Sequence, residues 1–221
     1  LSPHDVAAVF LWLQSLPAVE QPVPEHRITW PLATQPVMAA WRSLFFKPAN
    51  WQPDMAQSQT YNLGAYLVQG AGHCAACHGA RNRLGGFPAV NDLSGGFLAP
   101  QFWVAPSLIE THQTALHTSS AAEVAMLLRA GQNAHATVSG PMAEFVQQSS
   151  QYLTPEDALA MATYLKAQAK TEASPATSSQ SSSWAITAVQ TDQGAAQLYQ
   201  THCADCHGAQ GQGKSGVYPA L

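Results

Sequence analysis

Charge is what this chain has least of. Only 10% of its 221 residues are Asp, Glu, Lys or Arg, and the formal net charge is −4. No run of Lys or Arg occurs, so a basic nucleic-acid surface is excluded. Long apolar runs are missing as well. "VAAVFLWL" near the start falls well short of the roughly 18 residues that a membrane-spanning helix needs, and it reads as one helix. No charged-then-apolar leader segment precedes it. Strands alternating with helices are not evident, which removes the usual setting of a thioredoxin-like redox pair. A hydrophobic content of 46% is nevertheless ordinary for a chain with a packed core.

Cysteine is scarce too, and its placement is the strongest signal in the sequence. All four cysteines fall into two near-copies, "GHCAACHGAR" with Cys74, Cys77 and His78, and "THCADCHGAQ" with Cys203, Cys206 and His207. Two thiols separated by two residues on one helical turn can add across the vinyl groups of a haem. The histidine after the second thiol then lies under the iron as its proximal ligand. A four-cysteine zinc site would want its pairs about 15–20 residues apart, whereas the second motif here repeats 129 positions after the first. Haem is therefore the favoured reading at both motifs, and it places the chain in an oxidising compartment.

A second iron ligand is sought among Met126, Met142 and Met161. Met126 and Met161 sit in helical patterns, where core packing is expected. Met142 follows Gly140-Pro141 in what reads as a loop and is the favoured candidate, with His135 as its rival. A His/Met pair suits electron transfer because it closes the iron to substrates. The proximal imidazole needs a carbonyl partner, for which Pro88 and Pro219 are candidates. Arg81, Asn82 and Arg83 would either neutralise haem propionates or form a solvated turn, and Trp103 would pack on a haem edge or close the local core. No catalytic constellation is present. Glu156 and Asp157 fall in a first helical turn, where the helix dipole favours acids.

An internal repeat organises the chain. "LSPHDVAAVFLWLQSL" at 1–16 aligns without gaps to "LTPEDALAMATYLKAQ" at 153–168. Each opens with Ser or Thr before Pro, an N-cap followed by proline in the first turn. Apolar residues then recur at helical spacing, in the first copy at Val6, Val9, Phe10 and Leu13. With the repeated Cys motif, this predicts a mostly α chain of tandem modules, one complete and two partial. The expected division is 1–16, the last helix of a truncated first domain; 17–58, an aromatic and Pro-rich connector; 59–169, a complete domain; 170–190, a Ser-rich linker; and 191–221, the start of a truncated third domain. Trp30, Trp41, Phe45, Phe46 and Trp51 make the connector either a packed strap or a docking surface. The segment 170–190 reads as flexible.

"GAYLVQGAGHCAACHGARNRLGG", "AGQNAHATVSGPMAEFV" and "QYLTPEDALAMATYLKA" together resemble the middle domain of the triheme cytochrome c subunits of bacterial periplasmic dehydrogenases acting on alcohols, gluconate, sorbitol or aldehydes. "QPVMAAWRSLFFKPANWQPD" resembles that family's connector, and "HCADCHGAQGQGKSGVYPAL" the opening of its third domain. Leu63 and Gly79-Ala80 depart from the family pattern. The resemblance implies that the tandem modules are class I-like cytochrome c domains, with covalent haem c at Cys74/Cys77 and at Cys203/Cys206 and three haems in a full-length protein. It implies His78 and Met142 as axial ligands of one iron, and His207 on the other. The implied role is an electron-transfer subunit, not itself an enzyme. It would take electrons from a flavin, PQQ or molybdenum dehydrogenase subunit and pass them to ubiquinone or a terminal oxidase. The implied location is a membrane-associated complex in the periplasm, on the outer face of the inner membrane. The alternative is a multihaem peroxidase-like enzyme with an open haem site.

Overall fold

This computed structural model describes residues 1–22, 24, 28–48, 50–87, 89, 91–98, 102–110, 116, 118–169, 193–214 and 218. Helix α1 spans Pro3–Ser15, with the Ser2 hydroxyl accepting from the Asp5 amide as its N-cap. The connector contains a helix that the composition did not suggest, α2 at Gln35–Phe45. Helix α3, Gln59–Tyr66, is capped by Ser58 and runs straight into a π turn at Leu67–Ala71. The one-turn helix α4, Ala75–His78, follows. An antiparallel hairpin comes next, β1 at Gly96–Leu98 and β2 at Trp103–Ala105, with Phe97 opposite Val104. It fits within the mostly α expectation.

Helix α5, Ala121–Ala130, opens on a capping box made by Ser120 and Glu123 and stops at Gly131 in the left-handed region. Helix α6 spans Pro141–Gln148, and α7 spans Pro155–Gln168 with Thr154 as its cap. After the segment 170–192, which lies outside the described residues together with the expected linker, come α8 at Gln193–His202 and α9 at Ala204–His207. No helix among the described residues is long and apolar enough to cross a membrane.

The core sits where α3 and α5 pack on α7. A Cβ at Gly64 would lie 1.9 Å from the Ala160 carbonyl oxygen, so α3 crosses α7 with backbone nearly touching backbone. Tyr61 meets Tyr164 edge-on, their centroids 5.2 Å apart, beside this crossing. Gln69 Nε2 donates to Tyr164 Oη at 2.6 Å, and Gln168 Nε2 to Tyr61 Oη at 3.0 Å. Val68, Val124, Leu128, Met161 and Leu165 are buried around it. Each such side chain contributes about 1.5–3 kcal/mol.

The connector behaves mainly as a strap. Trp41 Nε1 donates to the Leu84 carbonyl at 2.8 Å, and Phe45 covers Gly86, where a Cβ would lie 2.4 Å from its ring. Trp51 packs edge-on against Tyr66. Trp30 and Phe46 stay exposed, Phe46 with the Arg42 guanidinium over its ring.

Candidate haem-attachment sites

The π turn delivers the first motif. Gly64 precedes Cys74 by one residue more than Gly194 precedes Cys203, and a π turn absorbs one extra residue without breaking the helix. The Gly72 amide reaches back to the Leu67 carbonyl at 2.7 Å, and the Cys74 amide to the Val68 carbonyl at 3.1 Å. His73 takes a positive φ of 34° just before the motif. Cys74 then starts α4, and the His78 amide donates to its carbonyl at 2.9 Å, so both thiols and the imidazole leave one helical turn.

The Cys74 sulfur faces inward. It lies by Gly72, whose Cβ would sit 3.4 Å from Sγ and 3.6 Å from the Met161 methyl. Burial pushes the Cys74 thiol up to about 11. Cys77 is exposed, and all four cysteines are free thiols. The thiols of each pair are therefore available for thioether bonds. Among the described residues no three His, Cys, Asp or Glu side chains converge.

His78 is oriented by a carbonyl that the sequence reading missed. Its Nδ1 donates to the Pro106 carbonyl at 2.8 Å, which assigns the proton to Nδ1 and leaves Nε2 as the coordinating nitrogen. Pro88 and Pro219, the candidates for this role, lie outside the described residues. Burial pushes the imidazole below its ordinary value, and the Pro106 bond only partly offsets this, so the ring is neutral near pH 7. Pro106 is placed by its neighbours: buried Ser107 accepts from the Ile109 and Glu110 amides, and the Leu108 amide donates to the Leu93 carbonyl.

Glycines let the hairpin close on the motif. A Cβ at Gly96 would lie 2.4 Å from the Cys77 carbonyl oxygen, and one at Gly79 would lie 2.7 Å from that of Asp92. The Gly95 amide donates to the His78 carbonyl at 2.7 Å. Asp92 holds the next turn by accepting from Ala80 N, Ser94 N and Ser94 Oγ. Partial burial opposes its ionisation, but these bonds outweigh it and keep its carboxyl below the usual range.

The other candidates separate clearly. Met142 is half-buried in the first turn of α6, not in a loop, and packs on the same core as Cys74 and Ala75. Trp103 lies against Gly140, whose Cβ would fall 2.6 Å from the indole, so it braces the backbone just ahead of Met142. Met161 is core, as expected, whereas Met126 is 54% exposed and does not pack inside. His135 faces away, its Nε2 3.3 Å from Glu123 Oε1 on an exposed face. Arg81 is engaged: Nη2 donates to Ala76 O at 3.1 Å and Nη1 to Gly85 O at 3.2 Å, with the guanidinium over the Phe87 ring. Asn82 Oδ1 accepts from the Leu84 and Gly86 amides and shapes the turn.

The second motif repeats the one-turn helix. Cys203 opens α9, the His207 amide donates to its carbonyl at 2.9 Å, and the Gly213 amide reaches the His207 carbonyl at 2.7 Å. Tyr199 Oη donates to the Gly208 carbonyl at 2.6 Å, tying α8 to the turn. The Tyr218 ring lies 6.4 Å from that of His207.

A helix pair crossing at glycine, a Cys-x-x-Cys-His turn and a carbonyl-held imidazole define a cytochrome c domain. The cytochrome c family pattern matches residues 61–169, and that part of the chain is a cytochrome c domain, of a family whose haem c is covalently attached. The whole chain is 29% identical to the fructose dehydrogenase cytochrome subunit of Gluconobacter japonicus, covering 49% of it. With 99% of its length it is 30% identical to the gluconate 2-dehydrogenase cytochrome c subunit of Pantoea cypripedii, covering 52% of that protein. With all of its length it is 31% identical to the quinone alcohol dehydrogenase cytochrome c subunit of Gluconacetobacter polyoxogenes, covering 49%. The chain thus spans about half the length of these relatives.

Proposed function

We propose that this chain is part of an electron-transfer subunit that carries haem c at both motifs and relays electrons from a dehydrogenase catalytic subunit. The observation that carries the reading is the His78 imidazole, held by Pro106 with Nε2 free, on a turn whose two thiols are unpaired. The relatives, each named as a cytochrome subunit of a dehydrogenase, support the kind of partner. Haem c supplies one-electron exchange between ferric and ferrous iron.

The residues would divide the work as follows. Cys74 and Cys77 would hold one haem through thioethers and Cys203 and Cys206 a second, with His78 and His207 as iron ligands. Met142 would supply the second ligand of the first site, and Trp103 braces the turn that carries it. The core around Val68 and Met161 keeps water from the buried side. Ligation by the same His78 and Met142 in both oxidation states would keep reorganisation small. Quinone or a terminal oxidase is the proposed acceptor. The periplasmic face of the inner membrane is the proposed location, because covalent haem attachment belongs to that side.

Helix α1 supports a further domain before it. Val6, Val9, Phe10, Trp12 and Leu13 are 51–60% exposed, where their counterparts Ala158, Met161, Ala162, Tyr164 and Leu165 are 0–4% exposed. We read α1 as the closing helix of a preceding cytochrome c domain, which gives three haems in a longer protein.

The test is an absorption spectrum of exported protein, oxidised and reduced, for wild type and Met142→Ala. The expected result is a c-type reduced spectrum and a near-infrared sulfur-to-iron band lost in the variant. A wild type without that band, whose reduced form binds carbon monoxide readily, would instead make the site peroxidase-like and overturn the reading.

A further inference from the structure

The two motifs match position by position from Cys74 to Arg83 and from Cys203 to Gln212, but their charges do not. Ala76 is replaced by Asp205, Arg81 by Gln210 and Arg83 by Gln212. In the first motif the Arg81 guanidinium reaches back onto the turn between the two cysteines, donating to Ala76 O at 3.1 Å. In the second motif that same turn position bears a carboxylate. Beside that turn, neutral glutamines make contacts: Gln200 Nε2 donates to Ala209 O, and Gln212 Oε1 accepts from the Gln210 amide.

We propose that these charges set the two haem sites at different potentials, so that an electron shared between them rests preferentially at the Cys74–His78 site. The inference depends on the reading that both motifs carry haem. An electron exchanged between the sites oxidises ferrous iron at one and reduces ferric iron at the other, with no bond or proton change. The ferric form carries one more positive charge, so a nearby cation disfavours it and a nearby carboxylate favours it. Arg81 and Arg83 raise the first site, and Asp205 lowers the second.

Opposing charges are present and do not cancel the difference. Asp92 stands near the first motif, with its carboxylate bound to Ala80 N and to Ser94. Lys214 follows the second motif, on a segment paired with Tyr218. With these counted, the first turn keeps a net positive charge while the second is balanced. Arg81 and Asp205 are both exposed, so water and salt screen them. Each is expected to change the electron-exchange equilibrium roughly threefold, about 28 mV at about 59 mV per tenfold for one electron.

The experiment is a spectroelectrochemical titration of the haem-loaded protein at low and high salt. Arg81→Gln should lower one wave, Asp205→Asn should raise the other, and both shifts should shrink in salt. Arg81→Lys, which keeps the charge and loses the fork, should leave the first wave in place. A wave unmoved or raised by Arg81→Gln, or moved as far by Arg81→Lys, overturns the inference while leaving the carrier reading intact. Absence of c-type absorption before any titration defeats the carrier reading itself, and the inference falls with it.

Discussion

Helices α1 and α7 carry one sequence pattern and meet opposite fates. Both open with a hydroxyl cap and proline, Ser2-Pro3 and Thr154-Pro155, and both become regular helices. Yet α7 buries six of its residues, and α1 buries none. Local chemistry therefore makes the helix, and a partner makes it core. For α7 the partner is α3, admitted by Gly64. Among the described residues, the hydrogen bonds that tie α1 to the complete domain come from its cap and first turn. Ser2 N donates to Tyr66 Oη at 2.9 Å, Tyr66 Oη donates to Asp5, and Trp51 backs the tyrosine ring.

The largest way to break this comparison is at the crossing. Gly64→Leu drives a side chain into the Ala160 backbone and should cost about 3 kcal/mol or more in chemical denaturation, enough to lose the native domain. Ala160→Leu, at a position with no exposure, should cost about 1–3 kcal/mol. The matching Ala8→Leu in α1 should fall within about 0.5 kcal/mol in this chain. Were Ala8→Leu as costly as Ala160→Leu, α1 would be packed in solution and the contrast would vanish.

A middle-sized test uses pH. The Tyr66 hydroxyl first, then Ser2 and His4, hold the Asp5 carboxyl below the ordinary carboxylate value. A depressed folded value means that the contact stabilises above the unfolded value, about 3.9, and is lost as pH falls through the folded one. Protection of the first-turn amides of α1, measured against the intrinsic exchange rate at each pH, should therefore fall at acid pH before that of α7 changes. Tyr66→Phe should weaken that pH dependence, because it removes the largest of the three bonds, and leave α7 protected.

The smallest effects belong to the caps. Thr154→Ala should lower domain stability by about 1 kcal/mol, whereas Ser2→Ala should fray α1 without moving the domain's unfolding midpoint. Circular dichroism alongside a denaturation curve separates the two.

These tests also mark what a sequence discloses. The caps, the helices at either end of the repeat and the Cys-x-x-Cys-His turns are written in short windows and were legible there. Pro106 was not, because it meets His78 across 28 residues of chain and only the packing of Leu93, Ser107 and Leu108 brings it back. The hairpin was hidden for the same reason, since its strands are three residues each and it closes on the motif through Gly96. Met126 looked like core by periodicity, but helical spacing does not say which face meets a partner. Arg81 was visible as a cation near the haem histidine. Its grip on Ala76 and Gly85 depends on the turn that Asn82 builds.

The most direct test of the central claim is the intact mass of the denatured, exported protein. Covalent attachment at both motifs requires a mass increase of two haems, falling to one in the Cys203→Ala/Cys206→Ala variant and to one in Cys74→Ala/Cys77→Ala. A wild-type mass without any haem, from cells that mature other c-type cytochromes, would contradict the account.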